Sequence, residues 1–129
     1  MADLSQQFIS AVINGNINEL IKVIDQGADA NSQTKTGKSP LYIAAEHGNK
    51  DIVKLLLDKG ANVNTQTDKG YSPLFIAVKG RHLDIAKLLI NKGTYVNVKN
   101  NNGAIPLEIA EHNKDKEMAR LLIDHGANG

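Results

Sequence analysis

Shifted by 33 residues, the sequence falls onto itself without an insertion. Pro40, Pro73 and Pro106 align, followed by Leu41, Leu74 and Leu107, then by Ile43, Ile76 and Ile109, and then by Ala44, Ala77 and Ala110. Gly37, Gly70 and Gly103 keep the same spacing, as do Gly27, Gly60, Gly93 and Gly126, while Asn31, Asn64 and Asn97 close three of the periods. A period of this length means that one supersecondary unit is repeated, so the unit decides the fold. The repeats run over approximately 4–36, 37–69, 70–102 and 103–129, within a single domain spanning 1–129.

The chemistry inside one period predicts two short helices. Ser39-Pro40 and Ser72-Pro73 place a hydroxyl at an N-cap and a proline at the first helical position. The hydroxyl accepts an orphan backbone N–H, and proline lacks only an N–H that would be unpaired there. Helices are therefore expected over 40–47 and 73–80, with Leu, Ile and Ala turned inward. A second helix follows in each repeat, with Asn16, Asn49, His82 and Asp115 as N-caps. Asn16-Ile17-Asn18-Glu19 has the spacing of a capping box. Asp51, Asp84 and Glu117 occupy first turns, and Lys59, Lys92 and His125 last turns, matching the helix dipole. The glycines at 27, 60, 93 and 126 end the second helices.

A helix pair this short cannot bury its own apolar stripe, so neighbours must stack into a quasi-linear solenoid. The 129 residues suffice for such an array, and with no cysteine it is held by packing and hydrogen bonds alone. Glu19 and Lys22 stand where later repeats carry Ile52 and Leu55, and Glu111 stands where they carry Ala45 and Val78. Both ends thus read as polar caps, and four repeats are expected to make the array.

Ser39-Pro40-Leu41-Tyr42-Ile43-Ala44 and Ser72-Pro73-Leu74-Phe75-Ile76-Ala77 resemble the Thr-Pro-Leu-His-x-Ala signature of ankyrin repeats. The run from Asp51 to Asn64 is similar to that family's second helix and its exit. The resemblance covers roughly residues 4 to 129. It implies an all-α repeat solenoid of stacked helix-turn-helix units, joined by β-hairpin-like loops.

The departures carry expectations of their own. Tyr42, Phe75 and Glu108 replace the family's histidine, and the two aromatic rings are expected to be half-buried. Ile105 replaces the capping hydroxyl, which should weaken that helix start by about 1 kcal/mol. Gly15 and Gly48 mark the turn between helices, where Arg81 and Lys114 hold the matching places. A left-handed non-glycine residue costs about 1–2 kcal/mol. Gly80 and Asn113, one residue earlier, are expected to take up part of that strain, and a negative φ at both would overturn this.

Function classes narrow quickly. Net charge is +1, with 15 basic and 14 acidic residues, which leaves no broad electrostatic footprint for nucleic acid. No apolar run is long enough to span a bilayer, and the N-terminus shows no signal peptide. His47 and His112 lie two repeats apart and out of register, and no metal, nucleophile or phosphate-loop motif occurs. The chain is therefore read as a non-enzyme without cofactor or metal, monomeric and cytoplasmic.

The resemblance implies a function in binding another protein, as adaptor, inhibitor or effector. In the family, partners are held by the hairpin tips and the exposed side of the first helices. Carried onto this chain, the tip residues are Lys35, Thr36, Lys38, Asp68, Lys69, Tyr71, Asn101, Asn102 and Ala104, and the helix residues are Glu46, His47, Lys79 and His112. Tyr71 is expected to stand out as an exposed aromatic anchor, since tyrosine is enriched among interface hot spots. The competing reading is a structural, self-associating repeat element.

Overall fold

The computed structural model describes residues 3–127, and among them eight helices follow one another with no strand. They are α1 (Leu4–Asn14), α2 (Ile17–Asp25), α3 (Pro40–His47), α4 (Lys50–Asp58), α5 (Pro73–Lys79), α6 (Leu83–Asn91), α7 (Pro106–His112) and α8 (Lys116–Asp124). Each odd-numbered helix packs on the helix that follows it. The pairs then stack, with α1, α3, α5 and α7 in one row and α4, α6 and α8 in contact along another. The result is an all-α repeat solenoid.

Helix starts follow the local chemistry. Ser39 Oγ accepts the Tyr42 N–H at 3.1 Å, and Ser72 Oγ accepts the Phe75 N–H at 3.0 Å. Asn16, Asn49 and Asp115 cap α2, α4 and α8 through side-chain oxygens that accept the N–H three residues on. His82 breaks the series, because its side chain makes no capping hydrogen bond. Its imidazole lies instead against two glycines. A Cβ at Gly48 would sit 2.7 Å from His82 Cε1, and one at Gly80 would sit 2.7 Å from Nε2. The ring fills space that only bare backbone leaves open.

Ile105 also departs from the expected simple loss. It lacks a capping oxygen, yet it is buried in the core and its N–H donates to Glu108 Oε1 at 3.3 Å. Burial of an isoleucine side chain contributes about 1.5–3 kcal/mol, which offsets the missing cap.

The strain at the helix-to-helix turns is not displaced as expected. Gly80 and Asn113 have φ of −84° and −76°, while Arg81 and Lys114 themselves are left-handed at 62° and 58°. The cause is the hydrogen-bond closure of the preceding helix. The Arg81 N–H donates to the Val78 carbonyl, and the His82 N–H donates to that of Ala77. Lys114 and Asp115 repeat this on Glu111 and Ala110. These six-to-one and five-to-two bonds fix which residue turns left-handed, whatever its side chain.

The core runs continuously along the stack, from Phe8 and Leu20 through Leu41, Ile52, Leu56, Leu74 and Leu89 to Leu107, Met118 and Leu122. Tyr42 and Phe75, expected to be half-buried, retain only 3% and 2% of their exposure. The Tyr71 ring packs on Phe75, and the Lys38 ammonium lies over the Tyr42 ring. At the caps, Lys22 and Glu111 are exposed and Glu19 is half-exposed. Ile123 is 54% exposed, whereas Leu57 and Ile90 at the equivalent positions are buried.

Candidate functional site

Three turns project from the stack, each built the same way. Thr34 N–H donates to the Lys38 carbonyl at 3.0 Å, and the Lys38 N–H returns to Thr34 Oγ1 at 3.1 Å. Thr67 and Tyr71 repeat the exchange at 2.9 and 3.2 Å. In the third turn Asn100 takes the place of threonine, and its Oδ1 accepts the Ala104 N–H at 2.9 Å. These turns are hairpin-like, but too short to form a strand.

Neighbouring tips are tied together. The Asp68 N–H donates to the Thr36 carbonyl, and the Asn101 N–H donates to the Lys69 carbonyl. Asn101 Nδ2 adds a 2.7 Å bond to the Asp68 carbonyl. The approach is close enough that a Cβ on Gly70 (φ +84°) would lie 2.8 Å from the Asn101 backbone nitrogen. Side chains presented by the tips therefore stand on a connected base, which keeps their spacing.

Between the first and second tips and the adjoining first helices lies a groove of about 340 Å³, lined by Thr36, Lys38, Tyr42, Glu46, Thr67, Lys69, Tyr71, Ile76 and Lys79. Tyr71 packs on Phe75 with ring centroids 4.9 Å apart. The Lys79 ammonium lies 5.8 Å from the Tyr71 centroid, and the Lys38 ammonium lies 5.7 Å from that of Tyr42. Both distances suit cation–π attraction. Lys38 also pairs with Glu46 at 3.4 Å, a surface contact of the modest class. Burial pushes the Tyr42 phenol up to about 12, helped by the negative charge of Glu46 and by Tyr71. Its hydroxyl therefore stays a proton donor at neutral pH.

A family model described as ankyrin repeats (3 copies) matches residues 8–100 and again 61–129. The chain belongs to the ankyrin-repeat family. A comparison with curated proteins returns no match. Ankyrin repeats are in general protein–protein interaction modules and are typically not catalytic.

Lys38, Glu46, Lys69, Tyr71 and Lys79 of this ankyrin-repeat chain come together in one groove. Lys35, Asp68 and Asn102 are exposed at the tips and do not line it, and Asn101 serves as the tie between tips. His47 and His112 are exposed at the ends of α3 and α7, also outside the groove. Tyr71 is half-buried against Phe75 rather than standing free, so it forms a wall and not a protruding anchor. Among the described residues, no group of three His, Cys, Asp or Glu is placed to hold a metal ion. No helix among them is long and apolar enough to cross a membrane.

Sequence reasoning missed three features of this face. Thr67 and Ile76 line the groove, although the period marks Ile76 as inward. Ile13, 49% exposed, holds the place in α1 that Glu46 and Lys79 hold in α3 and α5. Its register was readable; α1 lacks the Ser-Pro start that draws attention to the other first helices.

A second groove of similar volume, about 340 Å³, runs along Gly48, Lys50 and Arg81 to Ile85. It holds the Lys50–Asp84 pair at 3.7 Å and has no aromatic wall. Lacking stacked tyrosine and phenylalanine rings, and with two cations, Lys50 and Arg81, against Asp84, it is the weaker recognition surface.

Proposed function

We propose that this chain is a non-catalytic module that binds a partner protein through its hairpin tips and the exposed side of its first helices, acting as an adaptor, inhibitor or effector. The observation that carries this reading is the groove in which Lys38, Glu46, Lys69, Tyr71 and Lys79 surround a wall of packed aromatic rings. Aromatic side chains and held charges in one shallow depression are the ingredients of an interface hot spot. A row of tips and first helices is long enough for a standard interface of roughly 800 Å² per partner. An open groove of this kind encloses a small ligand poorly.

The 129 residues are proposed to act as one such domain, as a monomer in the cytoplasm, without cofactor. Affinity capture from the source cells tests the reading, with the triple variant K69Q/Y71A/K79Q beside the wild-type chain. Loss of a captured protein from a variant that keeps its helical circular dichroism supports the groove. Equal capture by both chains contradicts it.

Self-association is the competing reading, and Ile123, 54% exposed on the last helix, is the feature that favours it. Light scattering over a range of concentrations separates the two: a constant monomer mass supports the binding module, and a mass rising with concentration supports the alternative.

A further inference from the structure

The groove that carries the proposed function also has a chemical preference, and the following inference rests on that function. Its lining contains three ammonium groups, Lys38, Lys69 and Lys79, against one carboxylate, Glu46, which is already paired with Lys38. The other polar groups on its walls are the hydroxyls of Tyr42, Tyr71, Thr36 and Thr67. Of these, Thr67 Oγ1 already accepts the Tyr71 N–H. Tyr42 remains protonated far above neutral pH and so offers a hydrogen. The depression is thus rich in donors and positive charge, on a chain whose net charge is only +1. Ile76 and the Tyr71–Phe75 pair add an apolar patch beside the cations.

We propose that this groove binds an acidic linear segment of a partner protein, with Asp or Glu side chains reaching Lys69 and Lys79 and an adjacent aliphatic side chain resting on Ile76 and Tyr71. Charge complementarity selects the occupant, because a basic segment would meet a surplus of like charge and a neutral one would leave Lys69 and Lys79 unanswered. The cation–π contacts hold Lys38 and Lys79 over tyrosine rings before any partner arrives. That lowers the ordering cost of binding. The two arginines, Arg81 and Arg120, lie outside the groove, so the cations that line it are all lysines. Recognition there rests on ammonium point charges rather than on the planar guanidinium fork that fits carboxylate and phosphate alike. A groove of about 340 Å³ spanning two neighbouring repeats fits a few side chains of an extended strand better than the face of a whole domain.

Fluorescence anisotropy with labelled synthetic peptides of equal length tests this. One peptide alternates Asp and Glu around a central Leu, and the second replaces every acid by its amide. A single-stranded DNA of matched charge serves as the polyanion probe. The acidic peptide is expected to bind at least ten-fold more tightly than its amide counterpart and more tightly than the DNA. K69Q and K79Q should each weaken it about five-fold, and K54Q and K87Q, exposed on α4 and α6, should leave it unchanged. Equal binding of acidic and amide peptides, no binding of either, a preference for DNA, or equal losses in the control variants would each overturn the inference. If the acidic peptide fails while K69Q/Y71A/K79Q still abolishes capture of the cellular partner, the binding module stands and only the acidic preference falls.

Discussion

The Lys79 ammonium lies 5.8 Å from the centroid of the Tyr71 ring, and that ring in turn packs on Phe75 at 4.9 Å. The three residues come from the turn before α5 and from α5 itself, so the groove wall is pre-set by one helix start. Lys79 is exposed, so its side chain contributes little to folding. Lys79→Gln is predicted to change unfolding free energy by less than about 0.5 kcal/mol, the usual range for a surface site. Its effect on partner capture should be a loss. Urea denaturation beside the capture assay checks both halves.

Arg81 and Lys114 hold left-handed backbone at φ 62° and 58°. Replacing each with glycine removes the Cβ strain but adds freedom to the unfolded chain, so the gain is smaller than the strain itself. R81G and K114G should each stabilise the protein by about 0.5–1 kcal/mol, read by thermal or urea unfolding. A loss of stability in both would mean that the side chains contribute contacts beyond the turn.

Gly48 combines a φ of +72° with the His82 ring 2.7 Å from where a Cβ would stand. Gly48→Ala is predicted to cost about 2 kcal/mol, from backbone strain and from displacing the ring. His82→Ala in the same background should recover part of that cost, since only the contact is relieved and the backbone strain remains. A double-mutant cycle measures the coupling.

Ser39 and Ser72 are buried and their hydroxyls cap α3 and α5. Alanine at either should cost about 1–2 kcal/mol. Ile105→Ser, which installs the same cap on α7, should still destabilise, because the buried isoleucine contributes more than the hydroxyl adds. Chemical denaturation of the three variants gives the comparison.

Alkaline pH should reveal Tyr42. Its phenol is raised to about 12 by burial, with Glu46 and Tyr71 adding to it, against an ordinary value of 10.0 in the unfolded chain. The native state therefore holds this proton more tightly. The linked stability is fully present below pH ~10 and is lost as pH rises towards ~12. Tyrosinate absorbance should show one phenol titrating late, and Tyr42→Phe should reduce the decline in stability over that window.

The repeat and its helix starts were legible because they rest on local chemistry. Ser39-Pro40 and Ser72-Pro73 announce caps that the structure contains, and the period fixes the stack. The misses have different physical causes. His82 has the place of an N-cap but packs on Gly48, a residue of the previous repeat. Left-handed geometry at Arg81 follows from closure bonds to Val78 and Ala77, which outrank the side chain's own preference. Tyr71 reads as free because it sits in a polar turn, and only folding brings Phe75 against it. Ile13 belongs to the same face as Glu46 and Lys79 by register alone. The groove itself arises between repeats, where no single period contains all its residues.

Site-specific photocrosslinking tests the central claim most directly. A crosslinker placed singly at positions 69 and 79 in the groove, and at 54 and 87 on the second helices, is activated in extract from the source cells. The account predicts one shared covalent adduct from 69 and 79 and none from 54 and 87. Adducts from 54 and 87 alone, or none from any position, would contradict it.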